Sequence, residues 1–141
     1  MILLLNGPNL GMLGTREVDV YGTTTLPDIE REVRAAAAAQ QVRVDTLQTN
    51  HEGVAIDRLE QRDFDGLIIN PGAWTHYSYA LRDALASVPV SIVEIHISAV
   101  DEREDFRRNN VIRDVVSHTI SGQGWQGYLQ ALEWLLAQGV R

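Results

Sequence analysis

Three stretches of this chain carry the side chains able to do chemistry, and they lie far apart in sequence. The first, NGPNLGMLGTREVDVYG, spans residues 6–22 and contains Arg16 and Tyr21. A tyrosine ordinarily ionises near pH 10, about three units too high for a base at neutral pH unless positive charge stabilises its phenolate. Arg16 is placed to supply that charge, and roughly 3 to 4 kcal/mol of preferential stabilisation would suffice in a closed, dry site. A second arginine would help, and Arg103 and Arg107 are the candidates; either could also bind a carboxylate through charge-assisted hydrogen bonds. Gly11, Gly14 and Gly22 would let the segment open and close as a lid. The alternative is a solvated loop whose tyrosine packs down.

The second stretch is EIHIS, residues 94–98. If a strand continues through it, Glu94, His96 and Ser98 share one face while Ile95 and Ile97 point into apolar packing. A histidine beside a carboxylate is held in one orientation and protonates more readily, which suits a general acid for a leaving group. A strand-end histidine bonded only for structure is the competing reading. The third stretch, NPGAWTHYSYALRDAL, covers residues 70–85. Asn70 and His76 could read hydroxyls there, ahead of a helix N-terminus that favours anions. Trp74 could cover a pocket or bury itself at a contact, and Asp83 beside Arg82 reads as a solvated charge pair.

Absences narrow the chemistry further. The chain has no cysteine, and all 12 of its Lys+Arg residues are arginine, so thiolate and lysine Schiff-base routes lack their side chains. His51, His76, His96 and His118 show no metal-ligand spacing, so no metal is expected. No glycine-rich phosphate loop of the dinucleotide or P-loop type follows the first strand. A net charge of -7 argues against nucleic acid and anionic membrane, leaving a small molecule as the expected partner. No signal or membrane-spanning stretch is legible, and the chain reads as soluble and cytoplasmic.

The elements that must position these groups alternate along the 141 residues, which suit one domain, 1–141. Strands are expected at Ile2–Asn6, Val42–Gln48, Gly66–Asn70, Val90–His96 and Val115–Ser121. Several are continuous apolar runs, as in parallel strands covered on both faces. Helices are expected from near Thr25, where Thr25 and Asp28 have capping-box spacing, then over Glu52–Gln61, Ser78–Ala86 and Gly127–Gln138. The pattern predicts an α/β flavodoxin-like domain, a five-stranded parallel sheet with helices on both faces. Ligands of such sheets bind at the carboxyl ends of the strands, where all three stretches fall.

Taken together, the three stretches and the later SGQGWQGYLQAL resemble type II 3-dehydroquinate dehydratase over nearly the whole chain. The resemblance implies a cofactor-free, metal-free enzyme of the shikimate pathway, leading to chorismate and the aromatic amino acids, that dehydrates 3-dehydroquinate to 3-dehydroshikimate by anti elimination through an enolate. It implies a homo-oligomer, trimers assembled into a dodecamer. By resemblance, Tyr21 is the base, Arg16 and Arg103 support its phenolate, and the loop of about residues 7–22 is the lid. Asn9 helps hold a water at the enolate oxygen, and His96, oriented by Glu94, protonates the departing hydroxyl. Asn70, His76, Ser98, the Ile97 backbone and Arg107 bind substrate, while Asp83 reaches the site of a neighbouring subunit.

The sequence departs from the family pattern at three places. Val18 stands where proline is frequent, Ala99 replaces the asparagine usual after HIS, and RRNNVIRDVVSHTISG lacks the serines common there. A flavodoxin-like ligand or flavin-binding module is the alternative function. It leaves Tyr21, Arg16 and His96 without a role.

Overall fold

The structure, a computed structural model, describes residues 1–15, 19, 22–99 and 103–141. Its strands are β1 (Ile2–Asn6), β2 (Val44–Gln48), β3 (Gly66–Asn70), β4 (Ser91–His96) and β5 (His118–Ser121). All pairings are parallel and the spatial order is β2-β1-β3-β4-β5, the flavodoxin-like arrangement the sequence predicts. Parallel neighbours need long crossovers, here supplied by α1 (Leu26–Ala38), α2 (Glu52–Glu60) and α3 (Tyr79–Ala86), while α4 (Gln126–Ala137) follows β5. Between β4 and β5 the described crossover instead uses two short 3-10 turns, Asp105–Arg108 and Arg113–Val115.

The period of two along β1 divides the core. Ile2 and Leu4 join the layer under α1 and α4, with Ile29, Val33, Tyr128 and Leu132. Leu3 and Leu5 join the opposite layer under α2 and α3, with Ala55, Leu59, Leu81 and Leu85. Each of these side chains is buried, and the valines, leucines and isoleucines are worth about 1.5 to 3 kcal/mol apiece. Trp74 is only 2% exposed and packs in the second layer, within the core of the chain itself.

Two strands are shorter than the apolar pattern suggested. β2 starts at Val44 because the Val42 amide still bonds the Ala37 carbonyl at the end of α1, after Gln41 adopts a φ of 60°. β5 starts at His118 because Arg113–Val115 closes into a turn. β4 also stops at His96, so Ser98 does not continue a strand face. Beyond it, the carbonyls of His96 and Ile97 accept from the amides of Gly122 and Gly124 in the loop after β5.

Helix α1 begins where its cap chemistry allows. The Thr25 side chain accepts from the Asp28 amide (3.3 Å), and the Asp28 carboxylate accepts from the Thr25 amide (3.1 Å), a reciprocal capping box. Leu26, Ile29, Val33 and Ala37 then form the buried stripe. Thr25→Ala should therefore cost about 1 kcal/mol of unfolding free energy, measured by urea denaturation. An unchanged midpoint would show that packing alone sets this helix start.

Candidate active site

Strand register brings the polar residues to one edge. Asn6 pairs with Gln48 on one side and Asn70 on the other, Ile69 is level with Glu94, and His96 pairs with Ser121. The loops leaving β1, β3 and β4 surround a pocket lined by Pro8, Asn9, Leu10, Asn70, Gly72, Ala73, His76, His96, Ile97, Ser98, Arg103 and Arg107. Eight of the residues singled out in the sequence thus converge: Asn9, Asn70, His76, His96, Ile97, Ser98, Arg103 and Arg107. Arg16 and Tyr21, and Val18 between them, lie outside the described residues. Asp83 does not line the pocket; it is exposed on α3. Nor does it pair with its neighbour Arg82, whose guanidinium bonds Asp114 and the Val111 carbonyl instead.

Glu94 lies beneath the pocket, wholly buried. Its Oε2 accepts from His96 Nε2 (2.5 Å), Thr75 Oγ1 (2.7 Å) and Asn110 Nδ2 (2.9 Å). Burial alone would push this carboxyl up, but the bond and charge of His96, with the Thr75 and Asn110 bonds, outweigh it and leave Glu94 below the usual range. The ionised carboxylate can only accept, so His96 Nε2 must donate. That assigns the proton at Nε2 and leaves Nδ1 as the second ring nitrogen.

His76 is treated differently. Its Nδ1 faces the Asn109 carbonyl at 2.6 Å, and since a carbonyl only accepts, Nδ1 carries the hydrogen. Burial outweighs the Asn109 carbonyl and holds its pKa below the ordinary imidazole value, which favours the neutral ring with Nε2 as an acceptor. Arg103 and Arg107 make the mouth attractive to an anion; Arg107 also pairs with Glu104 and lies over the Phe106 ring.

Several supports were not singled out from sequence. The Tyr128 hydroxyl, on α4, donates to Asn6 Oδ1 (2.6 Å) and accepts from Asn70 Nδ2 (2.9 Å), while Asn70 Oδ1 accepts from the Gly72 amide (3.1 Å). Burial, with a smaller contribution from Glu30, drives the Tyr128 phenol well above its ordinary range, so it remains a neutral hydroxyl and is no base. Asn9 adopts a φ of 67° and its amide donates to Asn50 Oδ1 (3.0 Å), which also accepts from Gln48 Nε2 (3.1 Å). Gly7 permits the close approach of two loops, since a Cβ there would stand 2.7 Å from the Pro71 carbonyl oxygen. Ala99 also has a steric neighbour: a Cβ on Gly122 would sit 3.2 Å from its own. Paired asparagines after a strand end were a readable signal for Asn6, whereas nothing in the sequence marked Tyr128 or Thr75.

Among the described residues no cluster of His, Asp or Glu is arranged to hold a metal, and no helix is long and apolar enough to cross a membrane. A flavodoxin-like sheet whose switch-point pocket combines two arginines with an oriented histidine–carboxylate pair defines an α/β enzyme for a small anionic substrate. The model of the class II dehydroquinase family matches residues 1–136. The chain is 53% identical to the 3-dehydroquinate dehydratase of Thermotoga neapolitana over 95% of its own length and 92% of that protein. It is 53% identical to that of Roseiflexus castenholzii, covering 96% of this chain and 87% of the other. The crystal structure of the type II dehydroquinase from Butyrivibrio crossotus superposes with a TM-score of 0.94 at 44% identity, covering 96% of both chains.

The chain belongs to the class II dehydroquinase family. Membership makes it an enzyme, a hydro-lyase of the 3-dehydroquinate dehydratase class, and decides against the flavin-binding alternative.

The electrostatics of Glu94 yield a stability prediction. Its folded pKa is depressed below 4.5, so the stabilisation it gives is complete above that pH and is lost as pH falls through the folded value. Glu94→Gln should cost about 2 kcal/mol at pH 7, and its deficit against the parent should shrink below pH 4.5. Denaturant titrations of both proteins across pH 3 to 7 check this; a pH-independent difference would show that Glu94 is not the titrating group.

Proposed function

We propose that the chain dehydrates 3-dehydroquinate to 3-dehydroshikimate, within the shikimate pathway, through an enolate. Family membership supports the reaction, and the His96–Glu94 pair at 2.5 Å is the observation that carries the acid step. The Tyr21 phenolate removes the proton from the carbon beside the ketone, and the electron pair moves to the ketone oxygen as an enolate. Arg16 and Arg103 hold the phenolate charged, and Asn9 helps hold a water hydrogen-bonded to the enolate oxygen. The enolate then collapses: the carbonyl re-forms, the new carbon–carbon double bond appears, and the carbon–oxygen bond to the adjacent hydroxyl breaks. His96 gives that hydroxyl its Nδ1 proton, so water leaves. Tyr21 ends protonated and His96 neutral, and one proton returned to His96 with one released from Tyr21 resets the site.

The remaining pocket groups hold the substrate in this reading. Arg107 takes the carboxylate, neutral His76 accepts from a hydroxyl through Nε2, and Asn70, Ser98 and the Ile97 backbone complete the polar contacts. Asp83, exposed and away from its own pocket, acts in the pocket of a neighbouring copy in a trimer, with trimers forming a dodecamer. The enzyme works in the cytoplasm without metal or organic cofactor.

Mixing the protein with 3-dehydroquinate in the presence of a chelator should generate the ultraviolet absorbance of the conjugated enone, and Tyr21→Phe should abolish it while substrate analogues still bind. A near-normal rate from Tyr21→Phe would remove Tyr21 from the mechanism. Asp83→Ala should raise KM several-fold or weaken the trimer, read by steady-state kinetics and sedimentation; normal values for both would return Asp83 to the solvated surface.

A further inference from the structure

The carboxylate that orients His96 is itself held from an unexpected quarter. Asn110 lies in the crossover between β4 and β5, sixteen positions beyond Glu94 and in the segment that lacks the family's common serines. Its Oδ1 accepts from the amides of Ile112 and Arg113, each at 2.9 Å. Backbone N–H groups only donate, so this assigns which end of the amide is oxygen and turns Nδ2 toward Glu94. Nδ2 stands 2.9 Å from Glu94 Oε2 and 3.2 Å from Oε1.

We infer that Asn110 is a positioning residue for His96, holding the Glu94 carboxylate against the imidazole. The inference rests on the reading of His96 as the general acid. His96 and Thr75 bond only Oε2, and among the described residues Asn110 is the donor that also reaches Oε1. Asn110 touches both oxygens, so turning the carboxylate breaks its bonds. Both distances run from the one nitrogen, so a single Nδ2–H points between the two oxygens and is shared by them. Asn110 also anchors the turn that starts at Arg113, so the same side chain couples the crossover to the acid.

The test separates this role from simple turn capping. Asn110→Asp keeps an acceptor for the Ile112 and Arg113 amides but removes both donors and sets a second carboxyl against Glu94. Two carboxyls in contact cannot both ionise freely, so a new ionisation above the usual carboxylate range should enter the pH profile of kcat. His76, Arg103 and Arg107 also line the pocket and are unaltered in this variant. We expect a folded protein with kcat reduced about tenfold or more, KM changed much less, and shifted ring-nitrogen NMR signals for His96 in the free enzyme. Asn110→Ala should shift the same signals.

A folded Asn110→Asp protein with parental kcat, parental pH profile and unmoved His96 signals would overturn the inference. So would a fall in kcat with those signals unmoved in both variants. If the signals move while turnover and its pH profile do not, the positioning stands and it is the role of His96 as the acid that fails.

Discussion

A carboxylate inside a β-sheet is tolerated only when donors meet it, because an unpaired buried charge costs several kcal/mol. Glu94 on β4 is wholly buried, and its donors come from three separate parts of the chain: His96 on the same strand, Thr75 after β3, and Asn110 in the β4–β5 crossover. The charge is therefore a constraint on loop positions. If any of the three segments moves away, the carboxylate loses a partner it cannot replace with bulk water. The polar edge of the sheet inherits its order from this requirement.

The neighbouring strand ends are tied by a neutral counterpart. Tyr128 links Asn6 and Asn70 across β1 and β3, the adjacent strands at the point where the strand order reverses. Its phenol is driven upward by burial and so works as a fixed hydroxyl, bonding in both directions. Above it, Gly7 lets the loop after β1 pass close to the Pro71 carbonyl, which brings Pro8 and Asn9 to the same pocket as Gly72 and Ala73. Removing a single Cβ here is what allows two loops to share one wall.

The two pocket histidines show how environment assigns different work to one residue type. His76 is desolvated and bonded to a carbonyl, which keeps it neutral and gives it an acceptor. His96 faces an ionised carboxylate, which fixes a proton on Nε2 and leaves Nδ1 as the ring nitrogen not engaged by Glu94. Two imidazoles in one pocket thus differ in which nitrogen carries the hydrogen and in what the other can do, a difference set by the groups packed against them.

The sequence by itself determined the sheet and the edge on which chemistry sits. Continuous apolar runs at Ile2–Asn6 and Gly66–Asn70 read as strands covered on both faces, and Thr25 with Asp28 announced the start of α1 through local hydrogen bonding. That Asn9, Asn70, His76, His96 and the two arginines would meet in one pocket was legible because each lies at or just beyond the carboxyl end of a parallel strand, where the loops of such a sheet converge. The tertiary structure alone decided what surrounds Glu94 and which residues complete the site. Asn110, Thr75 and Tyr128 lie far from their partners in the chain, and no local periodicity records a hydrogen bond formed across the fold. It likewise ended β4 at His96, began β5 only at His118, and gave Arg82 to Asp114 rather than Asp83, because those outcomes depend on which distant groups arrive to claim each donor and acceptor.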